Sequence, residues 1–116
     1  MQFGSAGHCL LLEEEKFEEL YVCAPNGLRQ RGKLGKERWA EFSKQHSRKT
    51  VLKANEWERL QNIRRAFQIH PQIKKLWASG KAEVSLFWMD PEYCLECKAR
   101  LDWFDPDSGI IVDLKF

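Results

Sequence analysis

Three charged residues near the end of the chain have the types and spacing of a metal site. Asp102 lies in one apolar run, Asp113 lies in the next, and Lys115 follows two positions later. Two neighbouring carboxylates repel each other unless a cation lies between them, and such oxygen ligands suit a hard divalent ion such as Mg²⁺. The three residues therefore predict a site for a divalent cation.

The turn between the two runs decides whether these side chains meet. If residues 106–109 form a four-residue loop, Asp102 lies directly opposite Asp113, with the two Cβ atoms about 5 Å apart on one face. Lys115 shares that face because side chains alternate along a strand. A loop of odd length would instead place the two aspartates on opposite faces.

A solvent-facing hairpin that happens to carry a few charges is the alternative interpretation. Segment 110–116 is otherwise almost continuously apolar, which is typical of a buried strand. Charged side chains inside such a strand are unfavourable unless they have a partner or a task. This argument favours a functional hairpin.

Positive charge is concentrated elsewhere, in residues 29–53. This segment holds nine of the 19 lysines and arginines, although the net charge of the chain is only +2. A small net charge does not by itself indicate nucleic-acid binding, and runs of charge are usually solvated faces. From the residues alone, a binding role and a solvated face are about equally favoured.

Apolar periodicity and turn residues divide the chain into helices followed by strands. Helices are expected within residues 4–20, at 36–45, from an N-cap at Asn55 and from Pro71 to Gly80, with a short strand at 21–24 and a loop at 28–36. Strands are expected at 82–89, 94–104 and 110–116. The pattern predicts an α/β protein, α+β in order, with N-terminal helices packed on a three-stranded antiparallel meander.

Length and composition narrow the class of protein. A chain of 116 residues with 43% hydrophobic residues is large enough for a single domain with a modest core. No apolar run reaches the ~20 residues of a membrane helix, and no signal peptide is evident, so a cytoplasmic protein is expected. The four cysteines, which include the Cys94-x-x-Cys97 pair, are expected to be ordinary thiols rather than disulfides or half of a zinc site.

The Asp102 and Asp113-x-Lys115 spacing resembles the motif of the PD-(D/E)XK nuclease superfamily. The opening GSAGHCLLLEEEKFEELYVCAP and the later blocks AEVSLFWMD and CKARLDWF resemble, in the same order, the RecE-like (exonuclease VIII type) family. The similarity runs over nearly all 116 residues. It implies a restriction-endonuclease-like core.

The resemblance also implies roles for individual residues. The metal ligands would be His8, Asp102, Asp113 and the backbone carbonyl of Leu114. Lys115 would orient or activate the attacking water and stabilise the charged phosphate, and Glu83 would bind the water shell of the metal. The basic residues that would contact DNA phosphates are Arg29, Arg31, Lys33 and Lys36.

The activity implied by the resemblance is Mg²⁺-dependent hydrolysis of phosphodiesters, with Mn²⁺ as a substitute. The substrate would be the ends of double-stranded DNA, digested 5′ to 3′ in phage or prophage recombination. The resembled enzymes form homo-oligomers and work beside a single-strand annealing protein, with no role at a membrane.

The resembled domain continues beyond the Asp-x-Lys unit with a further helix and strand, so residues 1–116 are expected to form an incomplete nuclease domain. Two functions remain open. One is the exonuclease, and the alternative is a non-catalytic remnant or fragment that binds metal or nucleic acid weakly. We expect metal binding to survive in residues 1–116, with weak or absent turnover.

Overall fold

The structure is a computed structural model that describes residues 2–28 and 30–116. The chain divides into two compact units, residues 1–65 and residues 66–116. They are called here the N-terminal unit and the C-terminal unit, and each is described by itself. The expectation of a single domain therefore stays a prediction.

The N-terminal unit combines helices with a small parallel sheet. Its elements are α1 (Gln2–Leu12), α2 (Glu14–Leu20), β1 (Tyr21–Cys23), α3 (Gly32–Gln45), β2 (Thr50–Leu52) and α4 (Ala54–Ile69), the last of which runs past the boundary at residue 65. Strands β1 and β2 pair in parallel, with Val22 opposite Val51. A parallel pair needs a crossover connection, and α3 lies in that connection.

An apolar cluster holds this unit together, formed by Ala6, Cys9, Leu10, Phe17, Leu52 and Leu60. Leu52 and Leu60 are fully buried. The ring of Phe17 packs against those of Tyr21 and Trp57, with both pairs of centroids 5.2 Å apart. The predicted amphipathic helices of residues 4–20 thus exist and supply most of the core.

The C-terminal unit is built on the predicted antiparallel meander. It consists of α5 (Pro71–Ser79), β3 (Lys81–Asp90), β4 (Leu95–Asp105) and β5 (Ile110–Val112), and the strand order is β3-β4-β5. Asp105 faces Ile110 across the last turn, so residues 106–109 form the four-residue loop that the sequence suggested. Gly109 adopts a φ of 71° there, a left-handed conformation that favours glycine.

Packing in this unit centres on two stacked indoles. The rings of Trp77 on α5 and Trp103 on β4 are 4.1 Å apart and nearly parallel, and Phe67 meets Trp77 edge-on. Gly80 ends α5 directly against Trp103, where a Cβ atom would overlap the indole Nε1. The residue that ends the helix must therefore lack a side chain.

Besides shifts of a single residue at strand ends, three element boundaries and one strand differ from the sequence-based prediction. Helix α3 begins at Gly32, so the predicted loop at 28–36 is wrong in its second half. Helix α4 begins at Ala54, and Asn55 lies inside it with its side chain accepting the Glu56 N–H at 2.9 Å, not at an N-cap. Strand β2 was not predicted, and β5 ends at Val112, not at residue 116.

Two further findings concern the cysteines and the question of a membrane-spanning helix. All four cysteines carry free thiols. Among the residues that the structure describes, no helix combines the length and apolar character that crossing a bilayer requires.

Candidate active site

Asp102 lies near the end of β4, on the more exposed face of the sheet. Its Oδ2 accepts a hydrogen bond from the backbone N–H of Leu114 at 2.8 Å. The last paired residues of the two strands are Trp103 and Val112, so this bond lies just beyond the end of the backbone ladder. The Asp102 carboxylate therefore fixes the segment that carries the Asp-x-Lys unit alongside β4.

Asp113 and Lys115 lie in this segment, just after β5. Oδ2 of Asp113 and Nζ of Lys115 are 2.6 Å apart, in an ion pair whose side chains are 58% and 88% exposed. The hydrogen bond to Asp113 raises the pKa of Lys115, the charge of Asp113 adds to this, and the charge of Asp102 raises the pKa further. The ammonium thus lies within electrostatic reach of both carboxylates.

The strand predicted for residues 113–116 is absent, and the contacts of this segment explain why. The Leu114 N–H points to a carboxylate of β4 instead of a backbone carbonyl. Asp113 binds the lysine two positions later, a local contact that needs no strand partner. Side-chain bonds thus replace the ladder at the position where the sequence predicted a facing pair of aspartates.

Glu83 has an unusual backbone at the corresponding position of β3. Its neighbours pair in register, Ala82 with Trp103 and Val84 with Leu101, which places Glu83 opposite Asp102. Its φ of 53° is left-handed, a conformation that costs roughly 1–3 kcal/mol for a residue other than glycine. Positions 83, 102 and 113 therefore follow one another across β3, β4 and the end of β5.

The side chain of Glu83 binds Arg100, whose Nε lies 2.6 Å from Glu83 Oε2. Arg100 and Asp102 are two residues apart on β4, so their side chains share a face. The Glu83 carboxylate is therefore directed to the face that carries Asp102. It is neutralised there by a guanidinium.

His8 lies on α1 and is half-buried. Its Nδ1 donates a hydrogen bond to the backbone carbonyl of Gly4 at 2.9 Å. This bond places the lone pair of the neutral ring on Nε2, an orientation common among metal-binding histidines. His8 belongs to the N-terminal unit and the two aspartates to the C-terminal unit, so its role as their co-ligand stays a prediction.

The predicted DNA-contacting residues cluster at the start of α3. Arg31 immediately precedes the helix, Lys33 and Lys36 lie in its first turns, and all three are exposed. The fourth, Arg29, lies outside the described residues. Their accessibility is compatible with phosphate contacts and equally with solvation.

Asp105 is a residue of this region that the sequence reasoning missed. It is 4% exposed and accepts hydrogen bonds from Ser108 Oγ at 2.7 Å, Ser79 Oγ at 2.9 Å and the Asp107 N–H at 3.1 Å. The bond from Ser108, followed by those from Ser79 and Asp107, lowers its pKa. Asp105 thereby ties the end of α5 to the β4–β5 turn, which sets the register around Asp102. Its only sequence signal was the Asp-Pro-Asp-Ser-Gly turn, because Asp side chains often bond the backbone two residues on.

The donor atoms of the hairpin fit a hard divalent cation. Mg²⁺ in proteins often takes one or two carboxylates and keeps several waters, and Asp102 and Asp113 supply two carboxylates near one ammonium. Within the described ranges 2–28 and 30–116, no group of three or more His, Cys, Asp and Glu side chains is arranged to hold an ion. The hairpin therefore offers two of the ligands of such an ion, and water molecules can supply others.

The described helices and the three-stranded antiparallel sheet, with Asp102 and the Asp113-x-Lys115 unit at its last hairpin, are consistent with a PD-(D/E)XK nuclease fold. The family model for a PDDEXK-like domain of unknown function (DUF3799) matches residues 1–116, and the chain belongs to that family. No curated protein matches the chain. Membership indicates nuclease-type hydrolysis of phosphodiesters at the level of the superfamily, whose members generally use divalent metal ions.

Proposed function

We propose that this protein is a Mg²⁺-dependent exodeoxyribonuclease of the RecE-like type that digests double-stranded DNA from its ends, 5′ to 3′, in phage or prophage recombination. The observation that carries the proposal is the hairpin cluster. Asp102 holds the backbone of Leu114, and Lys115 bridges to Asp113 within electrostatic reach of Asp102. These are the residue types and the spacing of the superfamily motif.

Each residue of the cluster has a distinct task in this proposal. Asp102 and Asp113, with the Leu114 carbonyl and His8, would hold Mg²⁺ or Mn²⁺, which supplies Lewis-acid activation of water and charge neutralisation when bound. Lys115 would orient the attacking water and stabilise negative charge on the phosphate oxygens. Glu83 would accept hydrogen bonds from water at the edge of the site.

The alternative is a non-catalytic remnant or fragment that binds metal or nucleic acid weakly, and one observation favours it. The Lys115 ammonium already pairs with Asp113, so a metal ion would compete with it. This competition lowers the expected metal affinity.

Release of nucleotides from linear duplex DNA tests the proposal. The exonuclease proposal predicts Mg²⁺-dependent release at the weak level expected for residues 1–116, and a further loss of about 10²–10³-fold in Lys115→Ala, as is typical when a group that stabilises the transition state is removed. Asp113→Ala should be inactive. Asp107→Asn, a change in an exposed aspartate on the adjacent loop, should retain full activity and serves as the matched control.

Thermal unfolding with and without Mg²⁺ separates the two functions. A ligand that binds only the folded state raises the melting temperature, so both functions predict a rise that Asp113→Ala abolishes. Stabilisation without nucleotide release would select the non-catalytic alternative. Release that survives in Asp113→Ala would show that the activity does not belong to this site.

Partners are also part of the proposal. Large apolar side chains exposed on the C-terminal unit include Phe87, Trp88, Met89, Tyr93 and Leu95. Large apolar side chains exposed on a surface often mark protein contacts, which supports a homo-oligomer. Sedimentation across a concentration series tests this, and a monomer at all concentrations would refute it. A single-strand annealing protein is the second partner that we propose, on the resemblance alone.

A further inference from the structure

A cleft of about 690 Å³ lies in the N-terminal unit, where two of its helices begin. The segment that follows β1 contributes Arg31, and the segment that follows β2 contributes Lys53 and Asn55. The carboxyl ends of parallel strands are a common location for ligand sites, and the volume is in the usual range of such sites. The topology and the size of this cleft therefore both suit a small ligand.

The positive charges that line the cleft lie at the N-termini of two helices, where positive charge is unfavourable. Arg31 is the residue before α3. Lys53 is the residue before α4, and its carbonyl accepts the N–H of Trp57 at 2.9 Å. A helix N-terminus carries roughly half a positive charge, so a cation at this position is unfavourable. The same arrangement occurs at both helices, and both cations line one cleft.

The two cations are not paired with carboxylates in the described part of the protein. Neither Arg31 nor Lys53 takes part in the ion pairs of the described residues, and none of the described residues that line the cleft carries a carboxylate. The first turn of α3 contains no acidic residue, whereas the first turn of α4 contains Glu56, which partly offsets Lys53. The repulsion is therefore larger at α3, and an anion in the cleft would relieve it.

We propose that this cleft binds a phosphate group. The planar guanidinium of Arg31 can donate two parallel hydrogen bonds to phosphate oxygens, and Lys53 can add a compact charge. The first N–H groups of a helix lack intrahelical partners and bind phosphate readily. Half-buried Trp39 forms part of the lining and offers an aromatic surface to whatever the phosphate is attached to.

The phosphate could come from inorganic phosphate or a mononucleotide, or from the backbone of a nucleic acid. Only the nucleic-acid source rests on the proposed nuclease function. The described residues that line the cleft all belong to the N-terminal unit and include none of the proposed metal ligands. Binding can therefore be measured in EDTA, and Asp113→Ala should bind phosphate as the wild type does, even if the proposed nuclease function fails.

Thermal unfolding at constant ionic strength tests the proposal, because the melting temperatures of the variants should differ from that of the wild type in opposite directions without and with phosphate. Lys53→Gln and Arg31→Gln should raise the melting temperature in phosphate-free buffer, because each removes a cation from a helix N-terminus. Both should lose the rise of a few degrees that phosphate gives the wild type. Lys75→Gln, in an exposed residue of α5 outside the cleft, is the matched control and should respond as the wild type does.

Three probes identify the source: inorganic phosphate, a nucleoside monophosphate and a single-stranded oligonucleotide without terminal phosphate. A response to the first two assigns a phosphate monoester site, and a response to the oligonucleotide alone assigns a site for the backbone phosphodiester. No response to any probe would overturn the proposal. An equal loss of response in Lys75→Gln would also overturn it, because the effect would then be one of overall charge.

Discussion

Residues 2–65 bury a cluster of apolar side chains around Leu52 and Leu60, whereas the C-terminal unit buries only Trp103 and Asp105 among its described residues. The first unit thus depends on non-directional apolar packing. The second depends on a stacked indole pair, a glycine in close contact and a hydrogen-bonded carboxylate. Directional contacts of this kind fix geometry closely, which suits the unit that carries the Asp102 hairpin.

The contrast predicts different sensitivities to substitution, and amide hydrogen exchange can locate each effect within the chain. If the two units are held independently, a change in one should accelerate exchange mainly in that unit. If every substitution accelerates exchange equally in residues 2–65 and 66–116, the units unfold as one body. The comparison would then fail.

The largest effect is expected for Leu60→Ala. Leu60 is fully buried in the apolar cluster, and truncation of such a side chain destabilises by about 2–5 kcal/mol through lost burial and the cavity left behind. Chemical denaturation measures the loss. Exchange should accelerate within residues 2–65, and a loss below about 1 kcal/mol would show that the cluster does not determine the stability of this unit.

Gly80→Ala is expected to have the next largest effect. The new Cβ would overlap Nε1 of Trp103 and lie 2.9 Å from the carbonyl oxygen of Phe104, and overpacking of this kind costs about 1–3 kcal/mol. Gly4→Ala on α1 is the matched control, because its Cβ would meet nothing within 4 Å. It should stabilise the protein slightly, since alanine favours a helix more than glycine does. Equal destabilisation by both changes would contradict this account.

Asp105→Ala should produce a smaller loss that depends on pH. The pKa of Asp105 is lowered from its usual 3.8, so its contribution to stability is present above that value and disappears as the pH falls through the lowered pKa. The variant should therefore be less stable than the wild type at neutral pH and converge with it in acid. Denaturant unfolding across a pH series tests this. A constant difference at all pH values would show that the carboxylate acts only by filling space.

Glu14→Gln should have the smallest effect. Glu14 forms an ion pair with Arg64 in the N-terminal unit, and both side chains retain substantial exposure. Exposed pairs contribute about 0–1 kcal/mol, so we expect a change within that range that shrinks as salt is added. A larger loss that persists at high salt would mean that a polar contact is as important in this unit as the apolar cluster.

Local signals in the sequence predicted the C-terminal unit well. Pro71 and Gly80 mark the ends of α5, since proline suits a first helical position and glycine a position just past the end. Residues 106–109 carry the turn signals of a loop, and of the two loop lengths considered from the sequence the four-residue one is observed, which sets the register. Each of these features depends on contacts between residues close in the chain.

Features that depend on distant residues were not predictable. Strand β2 is three residues long, too short for a periodic pattern, and it exists because β1 pairs with it. Asp105 binds Ser79, 26 residues earlier, and the left-handed backbone of Glu83 arises inside an otherwise regular strand. For the candidate site, the sequence supplied the residue types of the hairpin. It did not indicate that Asp102 would bind the Leu114 N–H or that Glu83 would pair with Arg100.

The parallel pairing of β1 with β2 has a consequence for the order of folding. The meander joins strands that are consecutive in the chain. Strand β1 (Tyr21–Cys23) instead pairs with β2, which follows α3 in the chain, so the connection between the two strands is longer. Closing the longer loop costs more chain entropy, and such contacts form more slowly. During synthesis, β1 therefore emerges from the ribosome with an unpaired edge that only the later arrival of Thr50–Leu52 can cover. Pulse-labelled hydrogen exchange during refolding should protect Val84 and Leu101 before Val22, and the reverse order would exclude this sequence of events.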